Sequence, residues 1–332
     1  MFVAVVVLCI AFGLTNGLHD AGNAIAAPIV TRAMRPGSAL GLSAVCHVAG
    51  AILVGTAVAA TVGGIVSVPS RDLLDVLGAA VVGALAWSLL TLWLGLPCSS
   101  GHCLVGALAG AALADGGASA VHWGGLHGLR PVGVVGSLLW LVFSTAVALP
   151  LSLLGIRAAR RALRRASRAV VRPILRGEVV TTAVLSFAHG SNDAQKTMGL
   201  LTLALVAGHH LRHFSVPFWV VLTAAAALAV GTSLGGWRVV QTLGRGIYRV
   251  RAIEGLVSQS AASVIVLAAS LVGAPISTTD VVAPALVGAG VGQRWRHVRW
   301  RVVGEIALAW LVTLPVSAAL AALVLPVWKA IT

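Results

Sequence analysis

Long stretches of Ala, Val, Leu and Gly, free of charge, alternate along this chain with short polar segments. Apolar runs of spanning length occupy roughly residues 1–29, 38–62, 73–95, 98–114, 132–155, 178–206, 215–235, 254–273, 276–292 and 302–326. A helix needs about 20 apolar residues to cross the hydrocarbon core, so most of these runs suffice, and 98–114 and 276–292 are short. A lipid-facing barrel strand would alternate apolar with polar, which these runs do not. The pattern predicts an all-α integral membrane protein of about ten spans, some of which could be re-entrant hairpins. The first run starts at Phe2 with no basic leader and no Ala-x-Ala stop, so it reads as the first span and not as a cleaved signal.

Composition agrees, with 58% hydrophobic residues and 10% charged. A net charge of +14 would suggest nucleic-acid binding in a soluble protein. Here the basic residues follow the spans. Eighteen of the 23 Lys and Arg fall on one side of the ten-span layout, four fall on the other, and Lys196 lies within the membrane. The basic side is therefore expected to be cytoplasmic and both termini extracytoplasmic. The densest stretch, "RAARRALRRASRAVVRPILRGE", divides the chain into a first transmembrane repeat with its connecting span (1–155), a basic cytoplasmic linker (156–177), and a second repeat with the final span (178–332). Its arginines recur at three- and four-residue steps, which suits either a topology anchor or a surface helix on anionic lipid. Cys98, His102 and Cys103 in "CSSGHC" have no matching half-site for zinc, and cysteines in apolar segments behave as small hydrophobes.

The halves repeat each other. "LTNGLHDAGNAIAAPIVTRAM" (14–34) aligns with "SFAHGSNDAQKTMG" (186–199) at an offset of 173, matching Asn16, Asp20 and Asn23 to His189, Asp193 and Lys196. Each trio steps by four and then three, so each forms one polar stripe on a helix. "GLPCSSGH" (95–102) matches "GAPISTTD" (273–280) at an offset of 178. Five spans separate the two starts, an odd number, so the second copy enters from the opposite side. That is an inverted repeat, a plan of secondary transporters.

An Asp or Lys at a helix centre costs about 2.5–3.5 kcal/mol on insertion scales, so Asp20, Asp193 and Lys196 together oppose insertion by roughly 7–10 kcal/mol. Such residues persist where they face a site, and their duplication argues against a simple helix lock. In both proline motifs a helix breaks and another starts, with Ser99 and Ser100, or Ser277, Thr278 and Thr279, at the new N-terminus. Two such starts meeting at mid-membrane would hold an oxyanion. Gly106, Gly110, Gly288 and Gly292 behind them leave room for close packing.

These four motifs, in this order and over about residues 10–326, resemble those of the inorganic phosphate transporter (PiT) family. The resemblance implies an inverted-repeat bundle in which signature helices and hairpin tips enclose phosphate. The implied substrate site is Asp20, Asn23, Ser99, Ser100, Asn192, Asp193, Ser277, Thr278 and Thr279. Lys196 and His19 are similar to the choices of the bacterial low-affinity, proton-coupled branch. Lys196 thus joins the substrate site, and Asp20, Asp193, Lys196 and His19 are the cation-coupling candidates. Asp280 departs from the family, which has His there, and places a carboxylate beside an anion site.

The expected function is a symporter that moves inorganic phosphate across the cytoplasmic membrane with protons, without enzymatic activity, cofactor or nucleic-acid partner. Alternatives are sodium coupling, sulfate as substrate and, more remotely, a membrane enzyme acting on a phosphorylated lipid. A passive anion channel fits poorly, because two aspartates would repel the permeating ion. Whether a divalent metal travels with phosphate, and whether the chain forms homo-oligomers, are open at this level.

Overall fold

This computed structural model describes residues 1–127 and 130–332; the side chains of Ser70, Arg71, His127 and Arg168 are outside it, so the charges assigned to Arg71 and Arg168 lie outside the described residues. Each of the ten apolar runs carries a helix. In chain order the helices are α1 (Phe2–Val30), α2 (Pro36–Leu53), α3 (Ala57–Gly63), α4 (Ser70–Leu94), α5 (Ser100–Gly116), α6 (Gly133–Ala162), α7 (Val171–Ala207), α8 (Phe218–Leu234), α9 (Trp237–Gln241), α10 (Ala252–Val272), α11 (Thr278–Gln293) and α12 (Trp300–Ile331). A short antiparallel ribbon, β1 (Gly125–His127) with β2 (Arg130–Val132), joins α5 to α6 outside the apolar runs.

Not every run forms a single helix that could cross by its own length and composition. Among the described residues seven helices are long and apolar enough to span, or eight if α8 and the segment Trp237–Gly246, bent by 65°, count as one. Three causes account for the difference. α8 has only 17 residues and bends sharply before Trp237. α11 has only 16 residues. α7, at 37 residues, is long enough but carries the polar cluster. The Arg-rich stretch is not a separate surface helix. Arg and Ala are good helix formers, so α6 runs on through Arg157–Arg161, and α7 begins just before Arg172.

The helices pack as a two-fold arrangement that interlocks the halves. α1 lies along α8 as α7 lies along α2, and α3 rests on α7 as α9 rests on α1. The α4–α5 hairpin is clasped by α12, and the α10–α11 hairpin by α6. Each hairpin is thus held by the last long helix of the other half. The predicted glycines make this contact: a Cβ on Gly106 or Gly110 would lie 2.4 or 2.2 Å from carbonyls of α12, and one on Gly288 2.2 Å from Leu149 O of α6. Leu308, Leu311, Leu323, Leu139 and Phe143 are exposed on the outer faces of α12 and α6, as a lipid-facing surface requires, whereas α7 is almost wholly buried from Ala188 onward.

α2 and α7 cross with their backbones touching. An added Cβ on Gly50 would sit 2.0 Å from Phe187 O, and one on Gly190 2.2 Å from His47 O. Gly190→Ala should therefore cost about 1–3 kcal/mol, the usual range for overpacking. Thermal unfolding in detergent checks this, with Gly37→Ala as the neutral control, since nothing lies within 4 Å of that position.

Candidate functional site

The two polar stripes and the two hairpin tips converge in the buried centre. Both hairpins turn just after a left-handed glycine, Gly95 (φ 71°) and Gly273 (φ 74°), and a proline follows in each turn. The chain then opens α5 and α11 with their N-termini in the protein interior. Ser99 caps α5, its Oγ accepting from the His102 amide at 3.2 Å. Ser277 occupies the matching position before α11, but its hydroxyl is buried without a partner.

The aspartates hold the hydroxyls of one tip. Thr279 Oγ1 donates to Asp20 Oδ1 at 2.9 Å, and Thr278 Oγ1 to Asp193 Oδ2 at 2.5 Å. Asn23 Nδ2 donates to Asp20 Oδ1 at 3.1 Å and to Thr279 Oγ1 at 2.9 Å. Lys196 Nζ forms an ion pair with Asp193, one turn away on the same face, and donates to Ser100 Oγ of the other tip at 3.0 Å. Lys196 and Asp193 are fully buried and Asp20 is 1% exposed. Two stripes separated by more than 170 residues thereby grip tips from both halves.

Some of the expected residues serve other contacts. Asn192 donates to Ser270 Oγ (3.2 Å) and Ala274 O (3.1 Å), which ties α7 to the base of the α10–α11 turn. His19 turns toward Thr91 (3.4 Å), with its other nitrogen 3.8 Å from Asp20, so it stands at the edge of the cluster. Asn16 is buried with both amide atoms unpaired. Cys98 faces Thr313 and Cys103 the Ala84 carbonyl, so these thiols and His102 do not converge.

Two groups absent from the expected site set belong to the arrangement, and a third lies behind them. Asp280 reaches across the tips, with Oδ2 accepting from Ser99 Oγ at 2.7 Å and lying 3.2 Å from His102 Nδ1. The carboxylate that looked misplaced in the sequence is thus directed at the other tip. His189 places Nε2 2.8 Å from Asp193 Oδ2 and 3.9 Å from Asp20 Oδ2. His47 of α2 lies behind His189 at 2.9 Å. The signal was available: an ionisable side chain inside a spanning run is costly and is a functional candidate by default. Asp20, His189 and Asp193 each present a ligand atom within 4.8 Å of one another. With the Lys196 ammonium already on Asp193, no metal is assigned there.

What the cluster offers chemically is a mixed set of donors and acceptors closed from solvent. Among the described residues Asp20 Oδ2, Asn23 Oδ1, Asn192 Oδ1, Asp280 Oδ1 and Ser277 Oγ are buried without a hydrogen-bond partner from the protein. Buried polar atoms normally find partners, so these mark capacity for a guest that both accepts and donates.

Comparison with known proteins points the same way. The sequence model of the "Phosphate transporter family" matches residues 16–177 and again 163–321. A protein of Rhizobium meliloti named "Probable low-affinity inorganic phosphate transporter" is 35% identical, over 97% of this chain and 95% of that protein. One of the same name from Bacillus subtilis is 32% identical over 97% and 95%. One from Mycobacterium bovis is 39% identical over 96% of this chain and 75% of the relative. A solved structure, "The sodium-dependent phosphate transporter", superposes with a TM-score of 0.84 at 23% identity, covering 100% of this chain and 99% of the other, which shows a shared fold.

Proposed function

Given that the chain belongs to the phosphate transporter family, we propose that it is a proton-coupled symporter that carries inorganic phosphate across the cell membrane, with its basic face cytoplasmic and both termini outside. The observation that carries this reading is the convergence of the two repeats: Asp20 and Asp193, from matched helices, hold neighbouring threonines of one tip while Lys196 holds a serine of the other. A membrane enzyme would need one asymmetric catalytic cluster and a groove for its substrate. Matched half-sites at the centre of an interlocked bundle suit a carrier whose halves move against one another around a fixed site.

The substrate follows from the lining. Lys196, the tip hydroxyls and the helix N-termini supply donors to an oxyanion. Asp20 and Asn23 supply buried acceptors that can take the proton of HPO4²⁻. Sulfate has no such proton and would leave the acceptors unpaired. A lost hydrogen bond to a charged group is worth about 1.5–3 kcal/mol, so discrimination of roughly tenfold or more is expected. Labelled phosphate uptake into proteoliposomes tests this: excess arsenate should compete, since it matches phosphate in shape and protonation, and sulfate should compete poorly. Inhibition by sulfate equal to that by arsenate would overturn the assignment.

A further inference from the structure

His47 belongs to none of the repeated motifs, yet its ring is wholly buried in the polar centre. The close crossing of α2 and α7 at Gly50 and Gly190 puts its Nε2 2.9 Å from His189 Nδ1, with the rings perpendicular at 89°. Its other nitrogen, Nδ1, lies 3.0 Å from Thr232 Oγ1, and Thr232 Oγ1 lies 2.9 Å from Leu228 O. A continuous chain results: Asp193, His189, His47, Thr232. Around the pair, α7 presents Asp193 and, one turn on, Lys196; α1 presents Asp20, with His19 beyond it turned to Thr91; α8 presents only the uncharged Thr232. Among the described residues His47 hydrogen-bonds to Thr232 and His189 and to neither hairpin tip.

Charge at the centre explains why such a pair is useful. Asp20, Asp193 and Asp280 against Lys196 leave two excess negative charges where an anion is to bind. A positive charge must arrive with phosphate, or Coulomb repulsion opposes binding.

We propose that the His47–His189 pair holds the co-transported proton, with His47 as its resting place; this rests on the proton-coupled reading above. Without the extra proton, His189 Nε2–H faces Asp193, His47 Nε2–H donates to His189 Nδ1, and the Thr232 hydroxyl donates to His47 Nδ1. With it, one proton gained from solvent leaves His47 protonated on both nitrogens. Thr232 then turns its hydroxyl to Leu228 O and accepts from His47 Nδ1–H. Only N–H and O–H bonds change, and the net gain is one proton. By linkage, phosphate favours proton uptake as much as the proton favours phosphate.

The test uses the full-length protein in proteoliposomes and detergent. Phosphate-for-phosphate exchange at equal pH reports substrate handling, and accumulation under an imposed pH gradient reports coupling. Calorimetry in buffers of different ionisation heat reports protons taken up per phosphate bound. His47→Gln keeps a neutral hydrogen-bonding group beside His189. It should retain exchange, lose about one proton of uptake relative to wild type, and accumulate about tenfold less per unit of imposed pH gradient, the drive that one coupled proton supplies. Thr232→Val removes the donor to neutral His47 and the stronger hydrogen bond to the charged form, so it should shift the pH dependence of accumulation to lower pH, while Thr232→Ser should not. Wild-type accumulation and proton count in His47→Gln would overturn the assignment, as would loss of exchange together with accumulation in monodisperse protein. A wild type that exchanges phosphate but ignores the pH gradient would refute proton coupling itself, and this assignment with it.

Discussion

Phosphate accumulation by Asp20→Asn and by Asp193→Asn should each fall to background, while both variants insert and purify as the wild type does. Asp193 is the counter-ion of a buried lysine and the acceptor for Thr278. Neutralising it leaves the Lys196 ammonium without its counter-ion and Thr278 without a charged acceptor at the place where phosphate is to bind. Asp20 holds Thr279 and Asn23 on one oxygen and keeps the other unpaired and buried. An amide there could still accept from one donor, but it would add two N–H groups where no acceptor waits. Asn is cheaper than Asp to place in a membrane, so lost transport cannot be blamed on failed insertion. Initial uptake rates and size-exclusion profiles measured side by side settle the matter. An aspartate whose replacement transports at the wild-type rate has a structural role only.

An inward pH gradient should drive phosphate accumulation in sodium-free buffer, and a sodium gradient at clamped pH should add little. The reason lies in the Lys196 ammonium, fixed between Asp193 and Ser100. A sodium ion about 5 Å from that charge would meet a repulsion of about 3 kcal/mol at an effective dielectric near 20. The amine thus stands where a coupling sodium would be least welcome, and it supplies the fixed positive charge that phosphate needs. Lys196→Asn should weaken the response to pH. If uptake instead requires sodium and ignores the pH gradient, the proton reading is wrong.

The stripes and tips could be read from the chain because helical spacing is local: Asn16, Asp20 and Asn23 lie on one face whatever the rest of the protein does. The Pro-Ile-Ser-Thr-Thr and Pro-Cys-Ser-Ser turns are likewise local breaks with local caps. What could not be read was partnership across the fold. That Thr279 falls to Asp20 and Thr278 to Asp193 depends on how one hairpin tip meets α1 and α7, 259 and 85 residues along the chain from their acceptors. His47 and His189 stand 142 residues apart, and only the glycine crossing brings them together. Helix length was hard to read for a related reason: hydropathy records that a segment is apolar but not that α8 and α11 stop at 17 and 16 residues.

Residues 102 and 280 occupy equivalent places in the two repeats, yet one is an imidazole and the other a carboxylate. If the halves exchange roles as the carrier turns from one side of the membrane to the other, the transporter cannot look the same from both faces. The negative end of this pair travels with the second hairpin and the basic end with the first. A transmembrane voltage, worth about 2.3 kcal/mol per elementary charge per 100 mV when the whole field is crossed, then acts unequally on the two orientations. Even with equal phosphate on both sides, the empty carrier has a preferred direction in which to wait.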